Sequence, residues 1–433
     1  MANFIIRRLA YGLLVLWGVV SLVFFVFNIK PGDPARMMGG QHASPEIISA
    51  INKDLGLDLP LYKQYLLYLN DLSVVSIHNN SNPDSYIFND PTKYSVCCSV
   101  QISTNKDLVL KSPYLRRSYQ SRKKVSEIIA ESFPGTFVLA TVAILFALVF
   151  GLIIGIFSAL YKNSFFDSSS MFASVLGMSG PSFFMAILFS WLGGYVWYEQ
   201  TSLPVLPFAM FVFGIIIYVV LKIKSHQKIK VRGIFSAGFK YLFIGLLAWA
   251  IAALIQFFVP SLHLPLISQT IKLPGTGLSM TGSMFGYDVY TGRYLSLQNL
   301  ILPAITLGIR PLAVFVQLTR SSMLDVMDQD YIRTAKAKGL STFQVVWKHA
   351  IKNALNPVIT AVSGWFASML AGAVFVEYVF GWKGLGLELY NSLTKDDLPV
   401  VMGSVLFIAV IFVFMNILVD ILYGVLDPRV SLK

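Results

Sequence analysis

Long apolar runs divided by polar punctuation dominate the pattern from one end of the chain to the other. A helix must supply roughly 20 consecutive apolar residues to cross about 30 Å of hydrocarbon, and within lipid it must satisfy every backbone polar group internally. Stretches of that kind fall at roughly 9–28, 133–160, 169–198, 203–221, 241–260, 300–319, 356–379 and 400–424. The pattern therefore predicts an all-α polytopic membrane protein with about eight transmembrane helices.

Two polar intervals interrupt the pattern. Residues 29–131 open on an amphipathic part, "PEIISAINKDLGLDLPLYKQYLLYLNDL", and pass into a Ser/Asn-rich centre, "SIHNNSNPDSYIFNDPTKYS", with few large apolar residues to bury. A small module with a loosely structured middle is expected there. The second interval, 323–353, is short, basic and punctuated like two helices.

Charge orients the spans. The chain has 433 residues, 55% of them hydrophobic and only 13% charged, too few charges to cover a soluble protein of this length. Basic residues accumulate in cytoplasmic loops of membrane proteins. With Arg7 and Arg8 inside, the basic clusters Lys222–Lys240 and Arg333–Lys352 and the tail residues Arg429 and Lys433 also fall inside. Both termini are then cytoplasmic. The basic run "KSPYLRRSYQSRKK" falls outside, in a loop long enough to escape the rule. The first apolar run is longer than a signal peptide's core and lacks a small-x-small cleavage site, so it reads as an uncleaved span. The net charge of +12 is explained by topology, and no nucleic-acid motif accompanies it. Cys97 and Cys98, the only cysteines, are read as incidental thiols in a loop, with a disulfide to a partner as the other reading. No P-loop, nucleophile elbow or metal-ligand spacing is present, so the chain is expected to be no enzyme and to hold no metal or cofactor itself.

The stretch "DQDYIRTAKAKGLS" at 328–341 is the most informative. Asp328 or Asp330 is expected to cap a first helix. Gly339 suits the left-handed position after its end, and Ser341 with Gln344 forms a capping-box pattern opening a second helix. Ile332 and Ala335 share one face, with Arg333 and Lys336 on another. A solvated positive-inside loop satisfies this spacing, and so does a docking element for a soluble partner.

"DYIRTAKAKGLSTFQVVWKHAIKNALNPVIT" resembles the cytoplasmic loop of permease subunits of ABC importers, in particular the dipeptide/oligopeptide and nickel family. "LGMSGPSFFMAILF", "LPAITLGIRPLAVFVQLTRSSMLDVM", "AGAVFVEYVFGWKGLGLELYNSL" and "NILVDILYGVLDPRV" resemble that family in the same order. Arg333-Thr334-Ala335 and Gly339 occupy part of the importers' Glu-Ala-Ala-x-x-x-Gly motif, while the later Leu-Pro is replaced by Asn353–Pro357. The resemblance implies a type I ABC importer permease fold and a role in ATP-driven uptake of di- or oligopeptides. It implies contact with the ATPase through Asp330, Tyr331, Arg333, Thr334, Ala335, Lys336, Gly339 and Leu340. The implied partners are a second, homologous permease, two ABC ATPases holding ATP and Mg, an extracytoplasmic substrate-binding protein and the lipid bilayer of a bacterial inner membrane. The division expected is 1–28 first span, 29–131 extracytoplasmic module, 132–199 spans two and three, 200–299 an inserted transmembrane hairpin with an external loop, and 300–433 the permease core with its coupling loop.

Glu377, with Gly384 and Gly386 after it, reads either as a polar group at a water-filled gate or as an interfacial carboxylate. Pro181 removes a backbone donor and should bend its helix. Asn416 and Asp420, four apart on one helical face, read as structural or interface positions. An ion-coupled secondary transporter and a structural membrane subunit are the alternative functions; the first calls for paired intramembrane carboxylates or histidines, of which the central spans offer almost none.

Overall fold

The computed structural model describes residues 2–29, 45–82, 85–103, 106–199, 201–224, 231–258, 270–288, 290 and 292–426. Among the described residues, six helices are long and apolar enough to cross a membrane, and two further bent pairs bring the number to as many as eight.

The first helix, α1 (Ala2–Ile29), ends against a small module. Phe24 is buried between Tyr65 and Tyr68, with ring centroids 5.2 and 5.4 Å away, and Ser21 shares a 2.6 Å hydrogen bond with the Tyr65 hydroxyl. The module comprises α2 (Pro45–Leu55), α3 (Leu61–Leu72) and an antiparallel sheet of β1 (Val75–His78), β2 (Val96–Ser103) and β3 (Lys106–Lys111), in the order β1-β3-β2. Ser76 pairs with Val109, which is fully buried. The expected loose centre is thus bracketed and partly occupied by strands. The alternation that builds them spans only four to eight residues per strand, and polar loops dilute it.

The centre of the protein is a pair of long helices, α4 (Val125–Leu160) and, later in the chain, the helix at Gln298–Met327. Ala143, Ala147, Gly151 and Gly155 repeat every fourth residue on α4, and all four are buried. Without Cβ atoms at the last two, the helix backbones approach closely. An added Cβ at Gly155 would lie 2.6 Å from Thr319 Cβ and 2.9 Å from the Val316 carbonyl oxygen; at Gly151 it would meet Phe315 Cβ at 2.7 Å.

After α4, α5 (Phe165–Ser179) and α6 (Ser182–Trp191) are separated by Gly180 and Pro181. Together with one wide turn to Val196 they form a pair bent by 110°, where the hydropathy pattern had suggested a single span. Pro181 holds the chain extended, and a residue before proline is disfavoured in the helical region. A ribbon of β4 (Thr201–Pro204) and β5 (Thr270–Leu273) encloses the hairpin α7 (Val205–Lys224) and α8 (Val231–Phe258), so this segment leaves and re-enters at one place. Its helices pack on each other, yet only 11% and 6% of their apolar windows are buried. The other faces are therefore presented outward. A second ribbon, β6 (Phe285–Asp288) with β7 (Gly292–Leu295), precedes α9, the Gln298–Met327 helix.

The remaining helices are α10 (Asp330–Ala337), α11 (Thr342–Val345), α12 (Ile351–Ala354), α13 (Asn356–Gly372), α14 (Val374–Phe380), α15 (Leu385–Thr394) and α16 (Leu398–Leu426). The pair 356–380 bends by 58°. The main core joins α4, α9 and α13 around Leu139, Ala143, Ala147, Phe315, Val358 and Trp382.

Gly155→Leu should overpack the central seam, costing about 1–3 kcal/mol, and lower the melting temperature of the detergent-purified protein. Gly18→Leu, whose Cβ would meet nothing within 4 Å, should leave it unchanged. Equal melting temperatures for the two variants would contradict the seam.

Candidate functional site

The 328–355 segment folds into a compact element with one welded and one open face. The N-cap of α10 is Gln329, in extended conformation, and its carbonyl accepts the N–H groups of Ile332 and Arg333 at 3.1 and 3.2 Å. The expected acidic cap is thereby corrected: Asp330 lies inside the first turn, where its charge still favours the helix N-terminus, and Asp328 ends α9. Asp330 pairs with Arg333 at 3.2 Å across an almost fully exposed surface, where solvent screens it heavily.

The end of α10 is closed by backbone geometry. Gly339 N–H donates to the Lys336 carbonyl at 3.0 Å and Leu340 N–H to the Ala335 carbonyl at 3.4 Å, with Gly339 at φ +79°. This reverse turn demands a left-handed residue, and Leu340 then folds back on the apolar cluster. Ser341 and Gln344 form the reciprocal capping box, with bonds of 3.4 and 3.1 Å. A wide turn over Val346–Ala350 continues into α12. Asn353 donates to the Tyr331 hydroxyl at 2.8 Å, tying the two arms together, and the Thr334 hydroxyl returns to the Asp330 carbonyl.

Ile332 and Ala335 are buried with Val345, Val346, Ala350 and Ala354 against Ala159 of α4 and Met323 of α9. Beside this cluster, Arg320 of α9 grips Asp167 of α5 through two bonds of 2.5 and 2.8 Å, and Asp167 also accepts from the Asn163 N–H. The open face carries Arg333, Lys336 and Lys338 with three aromatic residues, Tyr331, Phe343 and Trp347, the last two 70% and 60% exposed. Phe343 and Trp347 were absent from the sequence-based candidates. Their signal was a pair of large aromatics four apart in a polar loop, and only burial tells a core pair from an exposed one.

Glu377 belongs to a different constellation. Its side chain is fully buried, with one oxygen accepting the Thr136 hydroxyl at 2.6 Å and the other the Leu387 N–H at 2.9 Å. Thr136 in turn accepts from Leu385 N–H at 2.8 Å, and Trp382 donates to the Gly135 carbonyl at 2.9 Å. The Glu377 carboxylate occupies the space that a Cβ at Gly384 would need, and Gly386 lies against Val374 and the same carboxylate. In this structure the Glu377 carboxylate is enclosed within the chain, where it clasps α14, α15 and α4 together, and Gly384 and Gly386 leave it the room to do so. The sequence placed these residues near one another but not inside, because the turn at Gly381, φ +62°, brings α15 back over α14.

Pro181 starts α6 at the bend. Asn416 is exposed on α16, and the side chain of Asp420 lies outside the described residues. Cys97 and Cys98 are free and exposed, on β2 rather than in a loop. Among the described residues, no group of three or more His, Cys, Asp or Glu side chains is placed to hold a metal ion.

Residues 151–432 match the family model of the binding-protein-dependent transport system inner membrane component, and residues 1–88 match that of its N-terminal part. The chain belongs to this family. The dipeptide transport system permease protein DppB of Alkalihalophilus pseudofirmus is 30% identical over 431 residues, with both chains covered completely. The di/tripeptide transport system permease protein DppB of Pseudomonas aeruginosa is 31% identical over 437 residues, covering 99% of each, and the dipeptide permease DppB of Escherichia coli K12 is 30% identical over 436, covering 100% of each. Among solved structures, the inward-facing MetNI methionine ABC transporter aligns with 70% of this chain and 97% of that chain at 11% identity and TM-score 0.38. As an inner-membrane transport component, the chain is a transport subunit rather than a catalytic one.

Thr136→Val should leave the buried Glu377 oxygen and the Leu385 N–H without their partner, destabilising the permease by about 1–3 kcal/mol. A lowered melting temperature in detergent, with Thr136→Ser restoring it, is the expected result; an unshifted Thr136→Val protein would disprove the clasp.

Proposed function

We propose that the chain is the transmembrane permease subunit of an ATP-driven ABC importer for di- and oligopeptides, and that residues 328–350 couple ATPase closure to movement of the spans. The carrying observation is the two-faced element. Its inner face shares one apolar cluster with the ends of α4 and α9, while its outer face offers basic and aromatic side chains to a soluble partner. A docked partner that moves this element moves the two longest core helices with it. Asp330, Tyr331, Arg333, Thr334, Lys336, Gly339 and Leu340 shape or line the docking face, with Ala335 anchoring it from beneath. The peptide assignment rests on the named functions of the relatives and on their full-length coverage.

The assembly we infer contains a second homologous permease, two ATPases that hold ATP and Mg, and an extracytoplasmic substrate-binding protein. Both termini and the coupling element face the cytoplasm of a bacterial inner membrane, with the 45–124 module outside. Two contacts support this sidedness. The end of α4 meets the coupling element, and residues 118–119 at the opposite end of α4 meet Asp397 at the start of α16.

Purified with its native neighbours, the wild-type chain should retain a P-loop ATPase and drive peptide uptake after reconstitution. Truncating exposed aromatic anchors removes about 2 kcal/mol or more, so Phe343→Ala with Trp347→Ala should release the ATPase while the permease still folds. Gly339→Val forces a β-branched residue into left-handed backbone at about 1–2 kcal/mol and should lower uptake more than Gly339→Asn does. An ATPase that stays bound and coupled in both variants would remove the docking assignment.

Sidedness has its own test. In intact spheroplasts a membrane-impermeant maleimide should label Cys97 and Cys98. In a background lacking both, Lys348→Cys should react only after permeabilisation. The reverse pattern would invert the topology.

A further inference from the structure

The module formed by α2, α3 and the three-stranded sheet contains a cavity of about 320 Å³ that the coupling mechanism does not use. That volume lies at the small end of ligand pockets. Its wall brings together Asp71 from α3, Asp90 and Lys93 from the loop before β2, and Arg116 and Arg117 from the strap that follows β3. Three cations face two carboxylates, leaving one positive charge in excess. Tyr86, Tyr94 and Tyr114 supply ring surface between them.

The hydrogen bonds divide these groups into a fixed back wall and a more open side. At the back, the Asp71 carboxylate accepts the Tyr94 hydroxyl at 2.7 Å and lies 3.8 Å from the Arg116 guanidinium, which sits over the Tyr68 ring. Lys111 donates to the Asp71 carbonyl at 2.6 Å beneath the Tyr94 ring. Burial, followed by the Asp71 carboxylate, pushes the Tyr94 and Tyr114 phenols above their ordinary range, so both stay neutral. On the open side, Arg117 donates to the carbonyls of Arg122 and Thr92, each at 3.3 Å. These carbonyls are neutral acceptors; Arg117 also donates to the Tyr114 phenol and lies within electrostatic reach of Asp90, and its five-donor fork still has N–H groups to offer a carboxylate. Asp90 accepts the Thr92 N–H at 2.8 Å and the Thr92 hydroxyl, with Lys93 and Arg117 as its nearest cations, and a carboxylate has further lone pairs to offer.

We propose that this cavity is a binding site for a small zwitterion, an amino acid or dipeptide, with Arg117 taking its carboxylate and Asp90 its ammonium group. Cations and carboxylates held a few residues apart across a tyrosine-lined hollow complement both ends of such a ligand at once, whereas a simple anion would meet Asp90 as a repulsive neighbour. The site is also wired to the permease core. Directly after Arg117, Ser118 Oγ and Tyr119 N–H donate to the Asp397 carboxylate at 2.5 and 2.9 Å, and Gln120 donates to the Lys395 carbonyl at 3.2 Å. Asp397 and Lys395 form the junction between α15 and α16. Ordering the strap around a ligand therefore stiffens that junction.

The test is calorimetric titration of the full-length chain in nanodiscs with alanyl-alanine, its carboxyl-amidated form and free alanine, paired with hydrogen exchange. Saturable binding of at least one zwitterion is expected. For alanyl-alanine, amidation should weaken binding by about tenfold or more, the loss of one charge-assisted contact. Arg117→Gln, checked for an unchanged melting temperature, should do the same to whichever zwitterion binds. Amides of 114–120 should gain protection only when the wild-type cavity is filled. Absence of saturable binding by the wild-type chain, or binding indifferent to both amidation and Arg117→Gln, overturns the site. So does protection confined to the spans. The transport reading survives any of those results, because it is judged by ATPase recovery and uptake.

Discussion

The structure depends on how closely α4 and α9 approach. Lipid tails are as apolar as leucine, so burying apolar side chains gives membrane helices little reason to associate. Close van der Waals packing must do that work, and it requires small residues facing the partner backbone. The row Ala143, Ala147, Gly151 and Gly155 provides them on α4, with Gly308 answering on α9 against the Ala143 carbonyl. Phe315 and Thr319 fill the hollows the missing side chains leave.

Each end of that seam carries an element that converts a loop into a rigid extension of the pair. At one end, the turn at Gly339 and the capping box at Ser341 fold two short helical arms over Ala159 and Met323. At the other, the turn at Gly381 folds α15 back so that Glu377, Thr136 and Leu387 interlock, with Trp382 bonded to the backbone of α4. Both turns use the same backbone device, a left-handed glycine whose neighbours bond back across the helix end. Forces applied to either extension are delivered to the same two helices.

The module and the hairpin stand in contrast. The module is secured to the core by α1 aromatics and by the Asp397 contacts, both polar and apolar. The α7–α8 hairpin is joined through a two-stranded ribbon and leaves most of its apolar surface outward, as expected of helices whose solvent is lipid. One is mechanically part of the transporter; the other is suspended from it.

Hydrophobic run length marked the six long spanning helices and the segments of the two bent pairs but not their bends, and the punctuation of 328–344 announced both short helices and their closing turn, because caps and left-handed glycines are local requirements of the backbone. It was similarly legible that Pro181 would break its helix. What the sequence left open was every question of who faces whom. Nothing local marks Phe343 and Trp347 as residues the fold leaves in the open, or shows that α15 closes over Glu377, which the sequence leaves readable as a gate group or an interfacial carboxylate. The strands of the module escaped notice because pairing partners 33 residues apart, such as Ser76 and Val109, leave no local mark. Periodicity and capping act within a few residues along the chain; burial, clasping and exposure arise between segments hundreds of residues apart, and only the tertiary structure brings those together.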